Sequence, residues 1–341
     1  MNKPVTILTG FLGAGKTTFL NHLLKENKEK KYAIIENEFG EQGIDNELVV
    51  HPDETIVELN NGCLCCTLND NLYDILNDLF ERRDEFDELI IEATGVADPT
   101  GLAQPFLSHP LIKEHFPLTA IICLIDAELI EQHIEETEEA LNQIIFSDVL
   151  LINKIDLVSE HQVSSLEDRL RTLNPLADIV KGNKEGFPQI EYRQNSEKLQ
   201  EILQLGEQVV DTGEQLSFPV QKPHSHHHHK HTEEINSQTY TFDQPFDYKR
   251  LYQQLFVYLT FQSKDLYRMK GLIWIENEAQ QYIFQSVGKR LDVQTKRPWL
   301  ATEPKKSVIV FIGKQLKREG LERLLQQCLS DGKQVNQQTI N

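Results

Sequence analysis

The sequence of 341 residues has no long hydrophobic run; nothing in it approaches the ~18 consecutive apolar residues that a membrane span needs. Met1-Asn2-Lys3-Pro4 leads straight into VTILTG, without the apolar region and small-residue cleavage site of a secretory signal. Basic residues are few: 34 Lys and Arg stand against 53 Asp and Glu, a formal net charge of −19. That deficit speaks against nucleic acid, whose phosphates are bound largely through basic side chains, and against anionic membrane surfaces. Five cysteines are an odd number in a long chain without a secretion signal, so no disulfide framework is expected. These absences predict a protein of the reducing cytoplasm, with neither nucleic acid nor membrane as partner. Whether identical copies assemble into a homo-oligomer is left open.

The length accommodates roughly two domains, each with its own core. In the first half, VTILT, YAIIE, ELIIEA, TAIICLID and SDVLLIN read as buried strands. Between several of them lie amphipathic stretches such as TTFLNHLLKEN and LNDNLYDILNDLFERRDEF. Near-continuous apolar strands in a βαβ rhythm predict an α/β domain with a mostly parallel sheet, covered on both faces, over residues 1–204. Residues 205–235 read as a polar His-rich linker or surface loop. In residues 236–341, TYTF, GLIWIE, QYIFQSV and SVIVFIG read as strands, with DYKRLYQQLFVYL and EGLERLLQQCL as helices. That pattern predicts a smaller α+β domain with a largely antiparallel sheet.

Gly10-Phe11-Leu12-Gly13-Ala14-Gly15-Lys16-Thr17 is a complete G-x-x-x-x-G-K-[ST] pattern between an apolar strand and a helix. Glycines let such a loop wrap phosphate oxygens with inward backbone N–H groups and a helix dipole behind them, so Gly10, Gly13, Ala14, Gly15 and Thr18 are nucleotide-binding candidates. Lys16 is expected to reach the β and γ phosphates and Thr17 to ligate Mg²⁺. In SDVLLINKID, Asn153-Lys154-Ile155-Asp156 comes directly after an apolar strand, where loops of such sheets meet ligands. An Asp156 carboxylate accepts from the guanine N1–H and 2-amino groups together, a donor pair adenine lacks, so the nucleotide is read as GTP. Lys154 would lay its stem over the base and Asn153 would brace the loop. At a third strand end, Glu92 is a candidate to hold Mg²⁺ or its water, and the N–H of Gly95 to meet the γ-phosphate, which makes this segment a candidate switch. Lys16, Thr17 and Glu92 are the catalytic candidates.

Three of the five cysteines fall in NNGCLCCTLND, as Cys63, Cys65 and Cys66. A redox C-x-x-C pair normally heads a helix in a thioredoxin-like fold, and these flanks do not match one. A closed structural zinc site needs a second ligand pair, whereas Cys123 and Cys328 lie in apolar stretches and read as buried. An open, incompletely ligated metal site remains. Glu36, Glu38, Glu41 and Asp45, in IIENEFGEQGID, are available oxygen ligands, and mixed thiolate and carboxylate ligation narrows the choice towards Zn²⁺ or Co²⁺. In PHSHHHHKH, six imidazoles (His224, His226, His227, His228, His229 and His231) suit Zn²⁺, Ni²⁺ and Co²⁺ as an auxiliary, metal-gathering segment.

The ordered set GFLGAGKTT, IENEFGE, NNGCLCC, EATGVADP and NKID, with YRMKGLIWIE, RPW and SVIVFIGK further on, resembles the CobW-type (YjiA-like) P-loop GTPases, a family of metallochaperones. The resemblance covers nearly the whole chain, and its most specific part is the C-x-C-C after a P-loop. It implies a GTPase domain followed by a smaller C-terminal domain, and metal binding near Cys65 with Glu36 and Glu41 as carboxylate partners. It also implies zinc delivery to client metalloproteins. The expected reaction is Mg²⁺-dependent hydrolysis of GTP to GDP and phosphate, slow when unaided because no arginine stands out as a finger. Two other readings stay open: a nickel or cobalt insertion GTPase serving one metalloenzyme, and a metal store or redox-sensing GTPase.

Overall fold

The structure, a computed structural model, describes residues 2–36, 56–58, 68–95, 97–183, 186–187, 198–202, 235–262, 265–287 and 289–330. The described residues form two compact units, one ending before residue 194 and the other running from Asn236, apart from short flanking segments.

In the first unit the strands are β1 (Val5–Gly10), β2 (Tyr32–Glu36), β3 (Ile56–Glu58), β4 (Glu88–Glu92), β5 (Leu118–Asp126), β6 (Val149–Asn153) and β7 (Asp178–Lys181). They form one sheet in the order β3-β2-β4-β1-β5-β6-β7, and every pairing in it is parallel. The helices are α1 (Lys16–Glu26), α2 (Leu68–Glu81), α3 (Pro99–Ser108), α4 (Pro110–His115), α5 (Ile130–Glu136), α6 (Glu138–Phe146) and α7 (Glu160–Leu173).

The strand sequences are apolar throughout because side chains alternate between two covered faces. Val5, Ile7, Leu89 and Ile91 point to one face, where they pack with Leu72, Leu79, Phe86 and Phe106. Leu8 and Ile90 point to the other and meet Phe19, Leu20 and Leu24 of α1. Phe106 is fully buried, and its truncation to Ala would cost roughly 3–5 kcal/mol. Two strands lie beyond the sequence expectation. β3 has three residues and β7 has four, at opposite edges of the sheet.

The second unit carries β8 (Ile235–Phe242), α8 (Tyr248–Val257) followed by a π-turn (Tyr258–Gln262), β9 (Leu266–Trp274), β10 (Gln280–Val287), β11 (Arg290–Pro298), β12 (Ser307–Lys314) and α9 (Arg318–Gln326). Its sheet has the order β11-β10-β9-β12-β8, with β10–β11, β9–β10 and β9–β12 all antiparallel. Met269, Ile273, Phe284, Ile309 and Phe311 on one face bury Leu251 and Leu255 of α8 and Leu321 and Leu325 of α9. The α+β expectation for this part of the chain is borne out. β9 begins five residues before the GLIWIE stretch, and β11 was not anticipated. The His-rich stretch expected over 205–235 lies, but for Ile235, outside the described residues.

Candidate functional site

In a parallel sheet the strands all end on one side, and the singled-out residues of the first unit gather there. Gly10 ends β1, Glu92 ends β4, Asp126 ends β5 and Asn153 ends β6. The loop after β1 turns into α1 through Gly15, whose φ of +98° lies in the left-handed region that favours glycine. A Cβ at Gly15 would sit 2.4 Å from Asn153 Nδ2. The glycine is therefore needed for both backbone conformation and clearance.

Asn153 connects the two sequence motifs. It is 5% exposed; its Nδ2 donates to the Ala14 carbonyl at 2.9 Å and its Oδ1 accepts from Lys154 N at 2.8 Å. The brace expected within the base loop thus extends to the phosphate loop. Lys154 adopts φ +59°, and its ammonium donates to Asp126 Oδ2 at 2.7 Å. Asp126 is 2% exposed and was not among the residues read from the sequence. The signal was available: Asp126 closes the apolar strand ICLID as Asn153 closes LLIN, and the two are register partners on β5 and β6. Asp156 lies on a 3₁₀ turn, Ile155–Leu157, with its side chain exposed.

At the phosphate end, Lys16 Nζ donates to the Gly10 carbonyl at 2.9 Å and to the Phe11 carbonyl at 3.4 Å. Thr17 Oγ1 donates to Glu92 Oε1 at 3.0 Å. Gly95 lies against the loop: a Cβ there would fall 2.6 Å from Leu12 N. Its neighbour Thr94 is 9% exposed, and its buried Oγ1 has no hydrogen-bond partner among the described residues. Asp98 then caps α3, accepting from Thr100 N at 2.8 Å. Phe11 of the loop packs on His133 of α5, with ring centres 4.0 Å apart; nothing in its sequence context singles that histidine out.

A Mg²⁺-bound nucleoside triphosphate suits these residues. The loop is a cradle that a side chain at Gly15 would obstruct, the Lys16 ammonium lies over its carbonyls, and a hydroxyl and a carboxylate stand side by side at its far end.

The metal candidates are placed only in part. Cys63, Cys65, Cys66, Glu38, Glu41, Asp45 and the histidines from His224 to His231 lie outside the described residues. Of Glu36 the backbone is described: it ends β2 in register with Glu92 of β4. Among the described residues no group of three or more His, Cys, Asp or Glu is arranged to hold a metal ion. Cys123 and Cys328 are buried, as their apolar contexts imply. Burial pushes the Cys123 thiol up to about 12 and the Cys328 thiol up to about 11, so both stay protonated and unreactive near neutrality. No helix among the described residues is long and apolar enough to cross a membrane.

Residues 4–181 match the family described as "CobW/HypB/UreG, nucleotide-binding domain". The chain belongs to this family. In keeping with a CobW-type protein, residues 235–329 match "Cobalamin synthesis protein cobW C-terminal domain". The sequence is 34% identical over 330 residues to the zinc chaperone YjiA of Escherichia coli K12, across 92% of this chain and 95% of that protein. It is 30% identical over 354 residues to the zinc-regulated GTPase metalloprotein activator 1 of Schizosaccharomyces pombe, across 92% of this chain and 83% of the relative. The crystal structure of Zn(II)-bound YjiA GTPase from E. coli aligns with a TM-score of 0.66 at 29% identity, covering 97% of this chain and all of that one.

Proposed function

We propose that this CobW-family protein is a GTP-hydrolysing metal chaperone that holds Zn²⁺ at Cys63, Cys65 and Cys66 and releases it to client metalloproteins under nucleotide control. One observation carries the reading: Glu92 accepts a hydrogen bond from Thr17 and stands in register with Glu36. A carboxylate at the phosphate site and a candidate ligand of the cargo are therefore neighbours on adjacent strands. The names of the relatives, zinc chaperone and zinc-regulated metalloprotein activator, support zinc as the cargo.

In this reading the backbone N–H groups of residues 13–18 hold the β and γ phosphates, and Lys16 exchanges its carbonyl partners for phosphate oxygens. Thr17 and Glu92 would hold Mg²⁺, which would supply positive charge to the transferring phosphoryl group. Thr17 and Glu92 fix the edge of the site, and the N–H of Gly95 meets the γ-phosphate. Water attacks the γ-phosphorus, and GDP and phosphate leave. Positioning and electrostatics supply the catalysis, and since no arginine stands out in the sequence as a finger, unaided turnover is slow. Asp156 selects guanine through its N1–H and 2-amino groups, with Lys154 and Asn153 holding the base loop.

Glu36 and Glu41 complete the thiolate shell, and the histidine segment gathers metal without setting its selectivity. Loss of the γ-phosphate loosens the shared region and frees the cargo for a client in the cytoplasm. The test is a competition titration of Zn²⁺, Co²⁺ and Ni²⁺ on protein with the His224 to His231 run replaced. Each metal is measured with Mg²⁺·GDP and with Mg²⁺ and a non-hydrolysable GTP analogue. Single-site zinc binding that tightens about tenfold or more (about 1.4 kcal/mol of coupling) with the analogue is expected. Preference for nickel or cobalt would replace the cargo, and indifference to nucleotide would reduce the protein to a store or redox sensor.

A further inference from the structure

We infer that Gln143 is a positioning residue for triphosphate recognition, holding the segment after β4 against the phosphate loop. Gln143 lies on α6 and is 1% exposed. Its Nε2 donates to two carbonyls, Gly95 O and Ala97 O, each at 3.2 Å. Both amide hydrogens are thereby spent on the segment between Glu92 and the cap of α3. The same segment also meets the phosphate loop, close enough that Gly95 has no room for a Cβ beside Leu12 N. A backbone bond from Ala97 N to Thr94 O, at 3.0 Å, closes the turn between the two supports.

The base on which Gln143 stands is itself fixed. Ser147 Oγ donates to the Gln143 carbonyl at 2.6 Å. Asn174 Nδ2 donates to the carbonyls of Ile144, Ile145 and Ser147, at 2.8, 3.1 and 2.9 Å, at the end of the same helix. An apolar side chain of similar size would fill the space under the turn without the cost of burying an amide. What the amide adds is direction: the bond to the Gly95 carbonyl anchors Gly95 itself, so the residue that presents this N–H is held in place, and the bond to the Ala97 carbonyl fixes the chain further on. A diphosphate has no group that reaches this N–H, so the contribution of Gln143 falls on GTP and not on GDP. The inference rests on the GTPase reading given above.

The test uses the full-length protein carrying Gln143→Leu and, separately, Gln143→Met, which keeps the length of the side chain. Affinities for GDP and for a non-hydrolysable GTP analogue are measured with Mg²⁺, together with kcat, KM and Tm. Both variants are expected to keep GDP affinity within about twofold while analogue affinity and kcat fall about tenfold. Equal loss for both nucleotides, tracking a lowered Tm, would make Gln143 a packing residue only and overturn the inference. So would an unchanged ratio of the two affinities. If the unaltered protein binds neither nucleotide, it is the GTPase reading that fails.

Discussion

Glu36 and Glu92 are register partners on the adjacent parallel strands β2 and β4, and Glu92 Oε1 accepts a hydrogen bond from Thr17 Oγ1 at 3.0 Å. Neighbouring strands lie about 4.8 Å apart. A displacement of the β4 end would therefore reach the next strand without an intermediary. Coupling of this kind is reciprocal: if the triphosphate tightens the metal, the metal tightens the triphosphate by the same factor.

Glu92→Gln keeps the shape of the side chain and removes its charge. GTP hydrolysis is expected to fall by about 10²-fold or more, since charge is lost where the transition state needs it ordered, while GDP affinity changes little. Single-turnover hydrolysis and GDP titration on the same preparation check this. Hydrolysis at the normal rate would remove Glu92 from the machinery.

Asp156→Asn replaces a double acceptor by a side chain that offers a donor. Guanine nucleotide affinity is expected to drop roughly 10²- to 10³-fold, because bonds to a charged acceptor are worth about 1.5–3 kcal/mol each. Xanthine nucleotides, which carry a 2-oxo acceptor in place of the 2-amino donor, should gain. Competition among GDP, XDP and ADP reads the outcome, and retained guanine preference would place the base elsewhere.

Asn153→Ala removes the bond to the Ala14 carbonyl at 2.9 Å and leaves that carbonyl buried under the loop. A loss of about 1–3 kcal/mol in stability is expected, with weaker binding of GDP and GTP alike. Denaturant titration with and without GDP separates the two effects. An unchanged midpoint in both would show that the brace is dispensable.

The alkaline limb of stability should report the buried thiols and Tyr240. Burial pushes Cys123 up to about 12 from an ordinary 9.0, Cys328 up to about 11 and Tyr240 up to about 12 from an ordinary 10.0. These groups hold their protons more tightly folded than unfolded. Their contribution is complete below pH 9 and is lost as pH rises from there through the folded values. Tm is expected to fall progressively above pH 9, and Cys123→Ala should flatten part of that fall. A Tm independent of pH between 9 and 11 would contradict the burial argument.

The five strands read from apolar runs are all flanked by partners in the parallel sheet, where burial on two faces leaves an unbroken signal. β7 is an edge strand with half-exposed side chains, and β11 carries Arg290, Asp292, Lys296 and Arg297, so neither has an apolar run to detect. In β9, Arg268 and Lys270 are buried charges that interrupt the pattern and delay the apparent start to Gly271. At the site, Lys16, Thr17, Asn153 and Lys154 were legible because loop chemistry fixes their spacing. Asp126 was marked only by its place at the end of an apolar strand, and its bond to Lys154 spans 28 residues; Gln143 was not legible, since it acts across the fold, 48 residues from Gly95.

The single amide of Asn153 is bonded both to the loop after β1 and to the backbone of its own loop, so, in the proposed reading, the phosphate and base contacts share one mechanical link. Exchange of one loop alone for that of another nucleotide-binding protein would break this link. Altered base preference would have to arise through side chains such as Asp156, within a frame that stays put, and not through transplantation of the frame itself.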